Sequence, residues 1–204
     1  MLAESTVFVV DDDETALASM RWLLESDGLA AETFSSAKEF LLSDGPDRPG
    51  CLVLDLRMPG MDGLMLQEKL SERGTHLPII FVSGCGNVSQ CAKAMKNGAV
   101  DFLEKPVDDG KMVRLVRQAL EEDRQRRLAD ARAAEIAARI ARLTPREHEV
   151  MHLLHEGDAI KTIAARFHIS FQTAAKHRSR VLAKLDVNNE AALVRLLANY
   201  PLHE

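Results

Sequence analysis

The sequence predicts an α/β fold, in which a five-stranded, parallel, doubly wound sheet is joined by a helical linker to an all-α domain of four helices. Over the first 120 residues, short apolar runs alternate with helix-like segments, a pattern typical of βαβ units. After an Ala- and charge-rich stretch, the signals from Thr144 onward are helical. We therefore predict a sheet domain over residues 1–120, a linker over 121–142 and a helical domain over 143–204.

The strands are predicted at five apolar runs, which lie at residues 6–10, 30–34, 51–55, 78–83 and 99–103. Helices with one apolar face are predicted between and after them, at 14–26, from Ser36, at 63–73, at 88–98 and from about Asp109. Because the stronger strands are apolar throughout, both faces of the sheet are expected to be buried.

The linker contains no Gly or Pro and is rich in Ala, Arg and Glu, so its helix propensity is high. We interpret it as a helix that can continue the preceding one. Two roles stay open for it: a solvated spacer, and a helix that dimerises or relays a signal.

The helical domain begins at a capping box, in which Thr144 caps, Pro145 occupies the first turn and Glu147 closes the box. Four helices are predicted, at 145–156, 160–167, 171–185 and 189–199. A tight break over residues 168–170 separates the second helix from the third. This arrangement fits a helix-turn-helix.

The chain of 204 residues has a net charge of −5, with 46% hydrophobic and 28% charged residues, as expected for a globular protein. Acidic residues concentrate in the first 120 residues, whereas residues 143–204 hold six of the seven histidines. The two parts are therefore expected to have different partners. No apolar run approaches the ~18 residues of a membrane span, and no signal-peptide pattern precedes the first strand. We expect a cytoplasmic protein with no membrane partner.

The three cysteines, Cys51, Cys85 and Cys91, form no CxxC pair. An odd number without a secretion signal argues against a disulfide framework. We interpret them as small buried or part-buried thiols. A redox sensor built from Cys85 and Cys91 is the alternative.

Carboxylates stand at the ends of two apolar strands: Asp11 and Asp12 follow the first strand, and Asp55 ends the third. Ligands of a parallel sheet bind outside the carboxyl ends of its strands, and adjacent first and third strands would bring the three carboxylates together. Like charges in one site are unfavourable unless they are neutralised. Mg²⁺ binds through one or two carboxylates and keeps waters, so we predict a site for Mg²⁺ or Mn²⁺.

Two further strand ends complete this set, since the fourth strand ends at Ser83 and the fifth leads to Lys105. The combination suits phosphoryl transfer. Asp55 would be the nucleophile that forms an aspartyl phosphate, and the metal, Lys105 and Ser83 would bind the phosphoryl oxygens. Each residue alone has an ordinary structural interpretation, so the prediction rests on their occurrence at successive strand ends.

The third helix of the helical domain is basic and carries no acidic residue. A basic helix face is often only solvated, but on the second helix of a helix-turn-helix it predicts binding in the major groove of DNA. The predicted base contacts are Gln172, Lys176 and Ser179, and the predicted phosphate contacts are Lys161, Thr173, Arg180 and Lys184.

The chain resembles the NarL/FixJ family of two-component response regulators, nearest its FixJ-like branch. The stretches that carry the resemblance are VFVVDDD, LVLDLRMPGMDG, the SG after the fourth strand, AMKNGAVDFLEKP, LTPREHEV and the IS..T...H helix. Residues 1–120 are similar to a receiver domain of flavodoxin- or CheY-like fold, and residues 143–200 to a LuxR-type helix-turn-helix.

The resemblance implies phosphorylation of Asp55 by a sensor histidine kinase, with Mg²⁺ bound by Asp12, Asp55 and the Arg57 carbonyl and with Asp11 contributing through water. It also implies a cis Lys105–Pro106 bond and Ser83 and Phe102 as a switch pair. Phosphorylation would promote homodimerisation and binding to promoter half-sites in double-stranded DNA, with RNA polymerase a further candidate partner. Regulation in the family leans to activation, and no turnover of an independent substrate is expected.

The sequence departs from the family at residues 85–87, where Cys-Gly-Asn replaces the common His-Gly-Asp, and at Ala174-Ala175, where Val-Lys is usual. Operator preference is therefore not carried over. Two alternatives stay open. One is a phosphate-independent regulator switched by thiol redox or a ligand; the other is an aspartyl-phosphate phosphatase or mutase, which would need an acid at the position of Arg57.

Overall fold

A computed structural model describes residues 5–84, 88–198 and 200. The chain divides into two compact units, Met1–Arg127 and Leu128–Glu204. The first unit contains the sheet. In the second unit, the described residues form helices and no strand.

The first unit is built on five parallel strands in the order β2-β1-β3-β4-β5. The strands are β1 Thr6–Val10, β2 Ala31–Phe34, β3 Gly50–Asp55, β4 Ile79–Ser83 and β5 Asp101–Glu104. All five were expected: the bounds of β1 agree with the prediction, and those of the other strands differ by at most two residues. Because β1 lies beside β3 with Val10 level with Leu54, the residues that follow these two strands reach the same edge of the sheet.

Helices cover both faces of this sheet. The first four are α1 Glu14–Ser26, α2 Ala37–Leu42, α3 Gly63–Glu72 and α4 Val88–Lys96, and a short 3-10 turn occupies Gly45–Asp47. Alternate strand residues point to opposite faces: Phe8 and Leu52 enter one apolar core, and Val7 and Val53 enter another. The prediction that both faces are buried is confirmed.

Helix α5 runs without a break over Asp109–Ile140, so the predicted linker continues the preceding helix. Its Asp123 carboxylate is buried and accepts hydrogen bonds from the Gly50 N–H, at 3.1 Å, and from Arg127 Nε, at 2.7 Å. Arg127 also donates to the Arg48 carbonyl, at 2.7 Å. These contacts hold α5 against the sheet unit beyond residue 120, while the predicted bounds of the domains stay predictions.

Although α5 has 32 residues, it is densely charged. In the described part of the chain, no helix combines the length and the apolar character needed to cross a membrane.

The second unit contains the end of α5 and four further helices, α6 Pro145–His155, α7 Ile160–Arg166, α8 Phe171–Lys184 and α9 Glu190–Leu197. The capping box at the start of α6 is confirmed, because Thr144 Oγ1 accepts the Glu147 N–H and the Glu147 carboxylate accepts the Thr144 N–H. The core combines residues of all five helices, including Ile140, Val150, Met151, Ile163, Val181, Leu185 and Leu193.

A tight turn joins α7 to α8. His168 adopts a φ of 53° there, a left-handed conformation that His tolerates better than most residues. Ser170 then caps α8 by accepting the Thr173 N–H at 3.1 Å. The short helix, the turn and the capped second helix form the predicted helix-turn-helix.

Candidate functional site

Three of the predicted residues meet at the carboxyl edge of the sheet. Asp11 follows β1, Asp55 ends β3 and Lys105 follows β5. The Lys105 ammonium lies 2.7 Å from Asp11 Oδ2 and 2.8 Å from Asp55 Oδ1. The topology accounts for this meeting, since parallel strands bring their carboxyl ends to one edge.

Backbone groups fix the orientation of both carboxylates. Asp55 Oδ2 accepts the Arg57 N–H at 2.6 Å, and Asp11 Oδ1 accepts the Asp13 N–H at 2.9 Å. Each carboxylate thus presents one oxygen to Lys105 and the other to the main chain. Asp55 is 8% exposed and Asp11 is 7% exposed, so a small reactant reaches them only from the open edge.

The electrostatics of the site follow from this crowding. Burial raises the pKa of Asp55. The hydrogen bonds from Lys105 and the Arg57 N–H act to lower this pKa, and the charge of Asp11 acts to raise it. Burial also acts to lower the pKa of Lys105, but its hydrogen bonds to Asp11 and Asp55 outweigh burial and leave this pKa raised. Lys105 therefore remains a cation beside two carboxylates.

The donor set suits a hard divalent cation. The carboxylates of Asp11 and Asp55 both contact the Lys105 ammonium. Asp12, which is exposed, follows Asp11 in the chain, and Arg57 lies in the loop after β3. Within residues 5–84, 88–198 and 200, no group of three or more His, Cys, Asp or Glu side chains is gathered closely enough to bind a metal ion. Oxygen donors from two carboxylates, a carbonyl and waters fit the usual environment of Mg²⁺. Direct ligation by Asp12 stays a prediction.

The predicted switch residues lie on neighbouring strands. Ser83 ends β4 and is 2% exposed. Phe102, in β5, is half-buried and stacks against Phe81, with ring centroids 6.3 Å apart. The Lys105–Pro106 bond is cis, as the family resemblance implies. Cys85 and the two residues after it lie outside the described residues.

A cavity of about 750 Å³ opens beside Asp55 and Lys105. Its apolar wall includes Met20, Trp22 and Val107, and Trp22 is 71% exposed. Sequence reasoning missed this cavity. The position of Trp22 could have indicated it, because this large apolar residue does not lie on the face of α1 that packs against the core.

Most predicted DNA-contacting residues lie on the surface of the second unit. The exposed members of the set are Lys161 on α7 and Gln172, Thr173, Lys176, Ser179 and Arg180 on α8. The opposite face of α8 is anchored by Ala174, Val181 and Leu182, which are buried. Arg178, also on α8, forms an ion pair with Glu190 of α9, with Nε 2.7 Å from the carboxylate oxygen.

Lys184 differs from the rest of the predicted set. Its ammonium lies 2.6 Å from Glu147 Oε2 and donates to the Arg142 carbonyl at 2.9 Å. The Glu147 side chain is buried, so this lysine neutralises an internal carboxylate. The structure thus gives Lys184 a role in the fold, and its phosphate contact stays a prediction.

Comparison with known proteins gives two family matches. Residues 7–117 match the response regulator receiver domain, and residues 141–197 match the bacterial regulatory proteins of the luxR family.

Individual proteins are similar over nearly the whole chain. The transcriptional regulatory protein FixJ of Azorhizobium caulinodans is 43% identical, covering 93% of this chain and 90% of its own. Nodulation protein W of Bradyrhizobium diazoefficiens is 40% identical, covering 95% and 85%. Among solved structures, the response regulator StyR is 39% identical and superposes with a TM-score of 0.89, covering 97% of this chain and all of that one.

Proposed function

This chain belongs to the two-component response regulators, which join a receiver domain to a DNA-binding domain and regulate transcription, and we propose that phosphorylation of Asp55 by a sensor histidine kinase switches it. One observation carries the proposal. The Lys105 ammonium is held between the buried carboxylates of Asp55 and Asp11, at the mouth of the sheet.

In the transfer step, an oxygen of the Asp55 carboxylate attacks the phosphorus of a phosphohistidine. The P–N bond breaks, and its electron pair stays on the imidazole of the kinase. Lys105 already contacts Asp55 and needs only a small displacement to bind a phosphoryl oxygen, which is electrostatic preorganisation. Asp11, Asp12, Asp55 and the Arg57 carbonyl would hold Mg²⁺, which when bound neutralises charge on the phosphoryl group.

The conformational response would begin at Ser83. A phosphoryl group carries about 1.5 to 2 negative charges and three acceptor oxygens, in place of the single charge of the free Asp55 carboxylate. Ser83, at the end of β4, would move toward those oxygens. Phe102, stacked on Phe81 one strand away, would turn into the space behind. Coupling of this kind is typically ~1–3 kcal/mol, so it shifts an existing equilibrium and leaves basal activity.

The output would be dimerisation and binding of promoter half-sites by α8. The exposed Gln172, Lys176 and Ser179 would supply hydrogen-bonding groups for base edges, and the exposed Arg180 would contact phosphates. A single helix-turn-helix binds DNA weakly, and two linked copies raise the effective concentration at paired half-sites. Transcriptional activation, with contact to RNA polymerase, is the direction we expect.

The test begins with acetyl phosphate and Mg²⁺ as the phosphate source and metal. Intact-protein mass is measured for the wild type, Asp55→Asn and the control Asp62→Asn, which keeps a good helix cap for α3. Sizing chromatography and a promoter-fragment shift follow on the same samples. A single Mg²⁺-dependent phosphoryl group in the wild type and control, absent in Asp55→Asn, with dimerisation and tighter DNA binding, supports the proposal.

Two outcomes of this test would contradict the proposal. If no adduct forms, or if an adduct changes neither assembly nor DNA affinity, the phosphate-independent alternative is favoured. Cys91, which is half-buried and free, and Cys85 then become the next residues to test.

A further inference from the structure

Helix α8 begins with an exposed aromatic side chain. Phe171 is its first residue and is 60% exposed. The residues of α8 that are buried against its own unit are Ala174, Val181 and Leu182, and Phe171 is not among them. A phenylalanine in this position contributes little to the fold, and its surface remains available to a ligand.

The residues around Phe171 limit the kind of ligand that it can contact. Ala175 lies four residues later, on the same side of the helix, and its small side chain leaves the phenyl ring uncovered. Gln172 and Lys176 flank this pair and are exposed. The result is a small apolar patch, Phe171 with Ala175, set within polar and cationic groups.

The position of the patch along α8 also matters. At the other end of the helix, Lys184 is bound to Glu147 and to the Arg142 carbonyl. The C-terminal end is thus tied to the unit, whereas Phe171, Gln172 and Thr173 at the N-terminal end are all exposed. A recognition helix contacts base edges with its N-terminal residues.

We propose that Phe171, with Ala175 beneath it, reads the 5-methyl group of a thymine in each half-site. This proposal deepens the proposed function and rests on DNA binding by α8. Thymine is the base that presents a methyl group in the major groove, and apolar side chains such as Phe and Ala are its natural contacts. The predicted phosphate contacts Thr173 and Arg180 hold the DNA backbone, while the apolar pair discriminates thymine from the other bases.

The test uses the full chain after treatment with acetyl phosphate. A duplex ligand is first selected from a randomised DNA library, and each thymine in it is then replaced by uracil, which lacks only the methyl group. For the wild type, replacement of the contacted thymine in a single half-site should weaken binding about three- to fivefold, as expected for one buried methyl. Phe171→Ala should bind more weakly and be insensitive to that replacement.

Two further variants sharpen the outcome. Phe171→Leu, which keeps an apolar contact, should retain much of the sensitivity to uracil. Val194→Ala, at another exposed apolar residue on α9, should behave as the wild type. Thermal melts confirm that the variants fold.

Several results would overturn the proposal. They include a selected site in which no thymine is sensitive to uracil, or a Phe171→Ala variant that keeps the wild-type sensitivity. A variant that changes only the oligomeric state would make Phe171 a protein-contact residue instead. If the wild type selects no duplex at all and shows no salt-dependent DNA binding, the proposed function itself fails, which is a distinct result.

Discussion

The Lys184 ammonium at the end of α8 lies 2.6 Å from the buried carboxylate of Glu147 in the first turn of α6. In the sequence, Lys184 continues the basic stripe of Lys176 and Arg180 on α8. The fold interrupts that stripe, because Glu147 also closes the capping box of α6 and needs a cation. One ion pair therefore ties the start of α6 to the end of α8.

This pair makes the second unit sensitive to acid. The hydrogen bond from Lys184, supported by the Thr144 N–H, lowers the pKa of Glu147 from its usual 4.5 to about 2. Because the folded pKa is the lower one, the stabilisation is complete above pH 4.5 and is lost as the pH falls toward about 2. Glu147→Gln should therefore lower the free energy of unfolding at pH 7 by about 2 kcal/mol, and the difference should shrink near pH 3.

Urea unfolding at both pH values, followed by circular dichroism, measures this effect. The single tryptophan, Trp22, lies in the first unit, so its fluorescence identifies the transition that should not change. Glu149→Gln, at the neighbouring exposed pair with Arg146, serves as the control with little expected change. An equal loss at pH 7 and pH 3 would contradict the assignment.

Lys105→Met tests the charge balance at the edge of the sheet. Without its ammonium, the buried Asp11 and Asp55 carboxylates face each other unneutralised. We expect the first unit to lose about 1–3 kcal/mol of stability in metal-free buffer and to regain more of it with Mg²⁺ than the wild type gains. Urea unfolding by Trp22 fluorescence, with and without Mg²⁺, gives both values.

The matched control is Lys111→Met, which removes an exposed lysine whose ion pair with Asp101 spans 3.9 Å. It should change stability little in either buffer. If Lys105→Met is as stable as the wild type without metal, the proposed charge balance is wrong.

Asp123→Ala should destabilise the first unit by about 3 kcal/mol, since a buried acceptor with two arginine partners is removed. The Gly50 N–H would then be left without this acceptor at the start of β3. The unfolding midpoint followed by Trp22 fluorescence gives the value. Asp130→Ala, at an exposed site on the same helix, should have almost no effect, and a similar loss in both variants would argue against the contact.

Cys51 should be chemically inert in the folded protein. It is buried in β3, and burial, with the charge of Asp123 adding to it, raises the pKa of its thiol well above the usual value. Timed iodoacetamide labelling with peptide mass analysis should therefore modify Cys91 before Cys51, and urea should abolish the difference. Labelling of native Cys51 at the rate of Cys91 would refute this.

The parts of this molecule that local pattern controls were predictable. Apolar runs located the five strands, and parallel topology then required Asp11, Asp55 and Lys105 to share an edge. The start of β5 was misplaced by two residues, because the helix-ending Gly98, with a φ of 88°, is followed by a connection before the strand begins.

Contacts between distant segments were not predictable in this way. A long side chain such as Lys184 looks solvent-facing in a helical projection, and only the packing of α6 against α8 supplies its buried partner. The same holds for Asp123, which reads as one acid among many in a charged helix. Its partner, the Gly50 N–H, is set by the position of α5 on the sheet.

The Asp123 contact also sets a rule for building chimeras. A gene fusion that cuts the receiver at Leu120 would discard the acceptor of the Gly50 N–H and leave the start of β3 without this contact. A fusion that cuts after Arg127 would carry the whole contact with it. A receiver domain transferred from this protein should therefore include residues 121–127, although their composition resembles that of a linker.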